Sequence, residues 1–374
     1  MKRFLVNIFQ LGIKELFSLR YDPVMLLLIV FMFSFSVIED AQNATSGVVN
    51  AAVAIVDEDR SQLSRRIGDA LMPPYFQPPV AIAVEEIDAN MEAARFAFVI
   101  DIPPGFQADL MSGRPTTIQL NVDATVMGLA GTGAAYIQQI ISQELSIFLN
   151  NDQAAGAVNI VTRAKFNPNM ETKGFQGAMS LTNNITMMTI LLTGAALIRE
   201  REHGTIEHLL VMPLTPFQIM AAKVWSNGLV VLVVAALSLW IVVQGTLAMP
   251  VAGSIPLFLF AAMLHLFSTT ALGILLATIA RSMPQFALLM ILVVVPLNML
   301  SGTNAPTESM PLPVQSVMLA APTTHFVSLS QAILFRGAGL DVVWPQLLAI
   351  AGIGGAFFTA ALLRFRRTVT LTQG

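Results

Sequence analysis

The chain has 374 residues, of which 55% are hydrophobic and only 11% charged. Several segments run 18 residues or more without a charge, which makes this an integral membrane protein rather than a soluble one with an apolar core. A formal net charge of −3 gives no case for nucleic-acid binding, and the absence of cysteine removes disulfides, thiol catalysis and thiolate metal sites.

Residues 4–19 set Leu5, Ile8, Phe9, Ile13, Leu16 and Phe17 roughly on one side, with Lys14 and Glu15 away from it. This predicts an amphipathic helix, 1–22, lying in the membrane interface; an extension of the first membrane helix is the alternative. The first charge-free run, 24–38, is 15 residues long and recruits flanking residues to give a span at 23–40. The amphipathic stretch before it, with Lys14, Glu15 and Arg20, is too long for the n-region of a cleaved signal peptide. Further charge-free runs lie at 179–198, 224–247, 255–280, 284–301 and 343–363. About 20 residues cross a ~30 Å hydrocarbon core, so six spans are expected.

Between the first two spans, residues 39–178 hold 16 of the 23 acidic residues against 8 basic ones. Strand-like runs at 52–56, 80–84, 96–102 and 117–122 surround a Pro-rich turn at 73–79. Helical spacing appears at Leu63, Ile67 and Leu71, and again over 127–149 with Ile137, Ile140, Ile141, Leu145 and Phe148. The expected fold is therefore an α-helical polytopic membrane protein of six transmembrane helices. An α/β extracytoplasmic domain, 41–176, is inserted between the first and second spans, and the five-helix remainder occupies 177–374.

After the second span comes REREHGTIEHLLVMPL, residues 199–214, dense in charge where the twenty residues before it have none. Such a segment cannot sit in hydrocarbon, where each charge costs at least a few kcal/mol. Gly204 offers a helix break, Thr205 an N-cap, and Glu207 suits a helix N-terminus. Leu209, Leu210 and Met212 give a short apolar face that Pro213 and Pro216 end. A short amphipathic helix and a solvated stop-transfer loop both fit.

Beyond the fifth span, Pro306, Pro311, Pro313 and Pro322 prevent one continuous helix. Two short re-entrant helices at the outer surface, within 306–336, are expected instead. Eleven of the twenty Lys and Arg fall in the N-terminal stretch, the loops after even-numbered spans, and the tail, which places both termini in the cytoplasm.

The five lysines follow Met, Ile, Ala, Thr and Ala, so no Gly-Lys phosphate loop exists. The spans contain no Asp, Glu, Lys or Arg, and His265 is the one titratable group in them, which argues against proton coupling. Sodium coupling through carbonyls and hydroxyls stays open. His203 and His208, with Glu207 between them, match neither zinc-hydrolase spacing, and no paired nucleophile and base exists. No catalytic or metal residue is expected. Asn183, Asn184, Thr186, Thr189 and Thr193 make the second span polar; together with His265 and Asn298 they either line a path or seal helix contacts. Gly352, Gly354, Gly355 and Ala356 suggest close helix packing in the last span.

The pattern Glu-x-Glu-x-Gly-Thr-x-Glu-x-Leu-Leu-x-x-Pro, carried by Glu200, Glu202, Gly204, Thr205, Glu207, Leu209, Leu210 and Pro213, resembles the cytoplasmic signature of the type-2 ABC exporter permeases. The resemblance covers essentially the whole chain. RSMPQ at 281–285 and PTTHFVSLSQAILFRG at 322–337 resemble the YhhJ-like bacterial inner-membrane branch. It implies that 200–213, with Arg199 and Arg201 alongside, holds a coupling helix resting on a separate ABC ATPase, which carries the ATP and Mg; no cofactor is bound by this chain. It further implies a second permease unit, either a homodimer or a heterodimer with a permease fused to ATPase domains, and a periplasmic membrane-fusion protein. The expected activity is outward movement of a hydrophobic or amphipathic small molecule. The alternatives are a membrane anchor or sensor with an outer interaction domain, or a sodium-coupled carrier.

Overall fold

The structure, a computed structural model, describes residues 2–42, 50–123, 127–149, 158–165, 172–202, 214–303, 307 and 310–372. The chain divides into two compact units. One comprises Met1–Asn43, Gln176–Thr303 and Ser316–Gly374, the other Ala44–Phe175 and Asn304–Gln315.

The first unit is helical. Its helices are α1 (Lys2–Arg20), α2 (Pro23–Phe33), α3 (Phe35–Gln42), α8 (Thr172–Glu202), α9 (Pro216–Ser238), α10 (Ile255–Ile279), α11 (Met283–Met299), α13 (Pro322–Leu334) and α14 (Leu340–Thr372), while α12 (Leu312–Met318) straddles the two units. Among the described residues, five helical segments are long and apolar enough to cross a membrane: Pro23–Gln42, Lys173–Glu202, Pro216–Thr246, Ile255–Ile279 and Leu340–Arg366. The pair α12 and α13, bent by 88°, makes a sixth if counted as one broken span. The expected fifth span is α11, which has only 17 residues. At 1.5 Å per residue it reaches about 25 Å, short of a ~30 Å core.

Capping residues set where these helices begin. The Asp22 carboxylate accepts from the Met25 amide at 3.0 Å ahead of Pro23. Thr215 and Gln218 cap reciprocally around Pro216, and Ser254 accepts from Leu257 at 3.4 Å. Each supplies an acceptor for orphan amides where proline has already fixed the first turn.

The first span is broken at Ser34, where the backbone leaves helical geometry (φ −126°, ψ −77°). The break frees carbonyls that hydrocarbon cannot solvate. Neighbouring helices satisfy two of them: Asn184 donates to the Met32 carbonyl at 2.7 Å and Ser238 to the Phe33 carbonyl at 2.5 Å. Ser238 itself lies where α9 passes into a π-helical turn, Leu239–Thr246.

The centre of this unit is α8, with 78% of its apolar window buried against 22% for the first and last spans. Phe286 of α11 lies directly over Gly194 of α8, where an added Cβ would fall 1.9 Å from the ring. In the last span only Gly354 packs closely, against Phe267 and Ser268. Gly352 and Gly355 face open space, so the expectation that all three glycines admit a neighbouring helix is corrected. In α1 one residue departs from the expected pattern. Leu5, Phe9 and Phe17 are exposed while Glu15, expected on the polar side, is turned inward. Its partner there is Lys223 of α9, 3.2 Å away, and α1 also packs on α9 through Trp225, which fills the space opposite Gly12 and donates its indole N–H to the Ile8 carbonyl at 3.0 Å, with Phe9 stacked on it at 5.5 Å.

The second unit is built on a five-stranded mixed sheet: β1 (Val53–Asp57), β2 (Val80–Ala81), β3 (Phe98–Ile102), β4 (Thr116–Asp123) and β5 (Val158–Lys165), in the order β2-β1-β3-β4-β5. Only β3 and β4 run antiparallel. Around the sheet are α4 (Gln62–Ala70), α5 (Ile87–Glu92), α6 (Phe106–Met111) and α7 (Met127–Leu149). Leu63 and Ile67 of α4, and Ile137, Ile141 and Leu145 of α7, are fully buried at the spacing of one helix face. β5 was not expected. Its sequence, VNIVTRAK, is interrupted by polar residues, and it is specified by parallel pairing along the whole of β4.

Candidate functional site

The last turn of α8 carries four consecutive charges, and each side chain holds a different neighbour. Arg199 pairs with Asp22, the cap of α2. Arg201 donates to the Ala280 and Ala277 carbonyls at 2.5 and 3.2 Å, placing a cation on the C-terminus of α10. Glu202 accepts from the Met283 amide at 3.0 Å, placing an anion on the N-terminus of α11.

Glu200 faces inward and forms an ion cluster. The Lys223 Nζ of α9 lies 2.9 Å from Glu200 Oε2 and 3.2 Å from Glu15 Oε1 of α1. The Lys223 side chain is 2% exposed, and the two carboxylates 10% and 11%. Lys14, half exposed, completes the group at 3.2 Å from Glu200. A lysine buried this deeply persists only because its charge is paired, since an unpaired buried ammonium would be prohibitive. Burial raises the Glu15 pKa and the Glu200 charge adds to this, against the attraction of Lys223 and Lys14. For Asp22 burial acts upward, but the Met25 amide and the Arg199 guanidinium outweigh it and hold the carboxyl below its ordinary value.

Gly204, Thr205, Glu207, Leu209, Leu210 and Pro213 lie outside the described residues. The residues that flank them do not. Glu200 in the last turn of α8 and Lys223 within α9 are joined directly, so the two helices on either side of residues 203–213 are tied to each other.

The polar residues of the second span are engaged with neighbours. Thr303 donates to Asn183 at 3.2 Å, Thr186 meets His265 Nε2 at 2.8 Å, Thr189 donates to the Ile185 carbonyl at 2.6 Å, and Asn227 donates to Thr193 at 3.3 Å. His265 is fully buried and stacks on Phe326 with centroids 4.1 Å apart. The Asn298 Oδ1 and His265 Nδ1 atoms are buried without a hydrogen-bond partner among the described residues. Within that same set no cluster of three or more His, Asp or Glu is arranged to hold a metal.

Sequence reasoning missed Asp22, Glu15 and Lys223 as parts of this site. The available signal was Lys223 itself, a single charge inside AAKVW just after a helix cap.

The family described as ABC-2 family transporter protein matches residues 23–363. The chain belongs to the ABC-2 transporter family. It is 57% identical over 370 residues to the inner membrane transport permease YhhJ of Escherichia coli (strain K12), covering 98% of this chain and 99% of that protein. It is 28% identical over 364 residues to the "Probable multidrug ABC transporter permease YbhR" of the same organism, covering 95% of this chain and 97% of that protein. A third relative there, named likewise but YbhS, is 26% identical over 373 residues, with 96% of each chain covered. This ABC-2 chain is accordingly a polytopic transport permease of the YhhJ-like branch.

Proposed function

We propose that this chain is the membrane subunit of an ATP-driven exporter, energised by a separate ABC ATPase that grips the segment 203–213 on the cytoplasmic side. The observation that carries this reading is the end of α8, where Arg199, Glu200, Arg201 and Glu202 each hold a different helix immediately before the signature segment. A force applied to 203–213 therefore reaches α2, α9, α10 and α11 through short polar contacts rather than through a flexible loop. The chain offers no Gly-Lys phosphate loop of its own, and membership in a family of ABC transporters supports an outside ATPase and a second permease unit.

The multidrug wording in the names of two relatives supports a hydrophobic or amphipathic small-molecule cargo, moved outward. The location follows the bacterial inner membrane, with both termini cytoplasmic by the bias of Lys and Arg and the β-sheet unit outside. A periplasmic membrane-fusion protein is the partner proposed for that unit. Asn183, Asn184, Thr186, Thr189, His265 and Asn298 are assigned to the neighbourhood of the path.

The test is a complex reconstituted with its ATPase. Glu207→Ala and a Leu209→Ala/Leu210→Ala pair are expected to lower transport per ATP hydrolysed by at least about 5-fold, the lower end of ordinary coupling energies, with membrane insertion intact. Unchanged transport and unchanged ATPase binding in these variants would contradict the proposal.

A further inference from the structure

The sequence offers Lys223 as a boundary charge; its surroundings say more. Two carboxylates from separate elements meet around it, Glu15 of α1 and Glu200 of α8, while Lys223 itself belongs to α9. We infer that Lys223 is a positioning residue for energy coupling, locking α1 to the two helices that bracket the segment 203–213 so that all three move as one body. The inference rests on the proposed attachment of an ATPase to that segment.

Stability alone is a poor reason for such a cluster. Apolar residues of similar volume often replace a buried ion group with no loss, whereas removing one partner is costly. What opposed charges supply is a defined register between helices, because a shift of one turn separates them. Packing already attaches α1 to α9 without any charge, through Gly12 beneath Trp225, the indole bond to the Ile8 carbonyl and the stacked Phe4–Phe217 pair. The ion group adds α8 to that attachment, since Glu200 is its member from α8. Arg199 on Asp22 then extends the same helix end to the start of the first span. In this arrangement α1 transmits displacement of the signature segment along the membrane surface.

The experiment compares wild type, Lys223→Met and the triple variant Glu15→Met/Glu200→Met/Lys223→Met in the full permease–ATPase complex. Transport per ATP hydrolysed is measured together with the fluorescence of Trp225 in a Trp240→Phe/Trp344→Phe background, which needs no ATPase. The triple variant leaves no unpaired buried charge, so it remains folded even if Lys223→Met does not. The triple variant, and Lys223→Met where it folds, are expected to keep ATPase association and hydrolysis while transport per ATP falls by at least about 5-fold. Trp225 emission is expected to stay unchanged, because the α1–α9 packing around it needs no charge; a shift to longer wavelength would make the loss of coupling a mere loosening of α1 and overturn the assignment. Normal coupling in the triple variant, or hydrolysis and transport falling in parallel, would overturn the assignment. Wild type that binds no ATPase would instead overturn the proposed function.

Discussion

Asp101 sits on β3 with one carboxylate oxygen buried and without a hydrogen-bond partner among the described residues. Burial, with the nearby Glu58 charge adding, raises its pKa above the ordinary value of 3.8. A raised carboxyl contributes stability that is present below that ordinary value and lost as pH rises through the shifted one. Asp101→Asn removes the ionisation and is expected to raise the unfolding temperature at pH 7 by a few degrees, about 1 kcal/mol, with little effect near pH 4. Thermal melts at the two pH values decide this; equal effects at both would contradict the burial argument. Lys223 shows the limit of reading residues singly. Its sign and its place near a span boundary were legible in AAKVW, but its depth was not, because depth depends on Glu15, 208 residues earlier in the chain.

At the scale of elements, close approach separates glycines that look alike in sequence. Gly194 lies under the buried Phe286 ring, so Gly194→Ala overpacks the centre of the unit and is expected to cost about 1–3 kcal/mol. Gly352 has nothing within 4 Å, so Gly352→Ala is expected to be neutral or to gain up to about 1 kcal/mol from helix propensity. Unfolding of the two purified variants in detergent checks the order, and equal stabilities would contradict it. Asp22-Pro23 and Thr215-Pro216 are caps that precede prolines, a local signal, but the third charge-free run begins only at 224 because Lys223 interrupts it, and the helix starts at Pro216. The break at Ser34 was not legible, since residues 24–38 form one uninterrupted apolar run and the partners that tolerate the break, Asn184 and Ser238, come from other helices. β5 escaped for the same reason, as its register is fixed by β4 rather than by its own pattern.

For the whole molecule, apolar length and charge distribution sufficed to read a polytopic protein with a large insertion, while the division of labour among the charges at 199–202 emerged only from tertiary contacts. Those contacts recast the RERE run as a junction of helices from which the signature segment departs. Under the proposed attachment of an ATPase the consequence is mechanical: work done on residues 203–213 would be shared by several spans at once. The most direct measurement follows a lipophilic fluorescent dye in vesicles holding the permease with its ATPase, with and without ATP and with and without a sodium gradient. ATP-dependent movement of the dye, lost in the Leu209→Ala/Leu210→Ala variant and indifferent to sodium, is the expected result; movement that follows the sodium gradient and ignores ATP would contradict it.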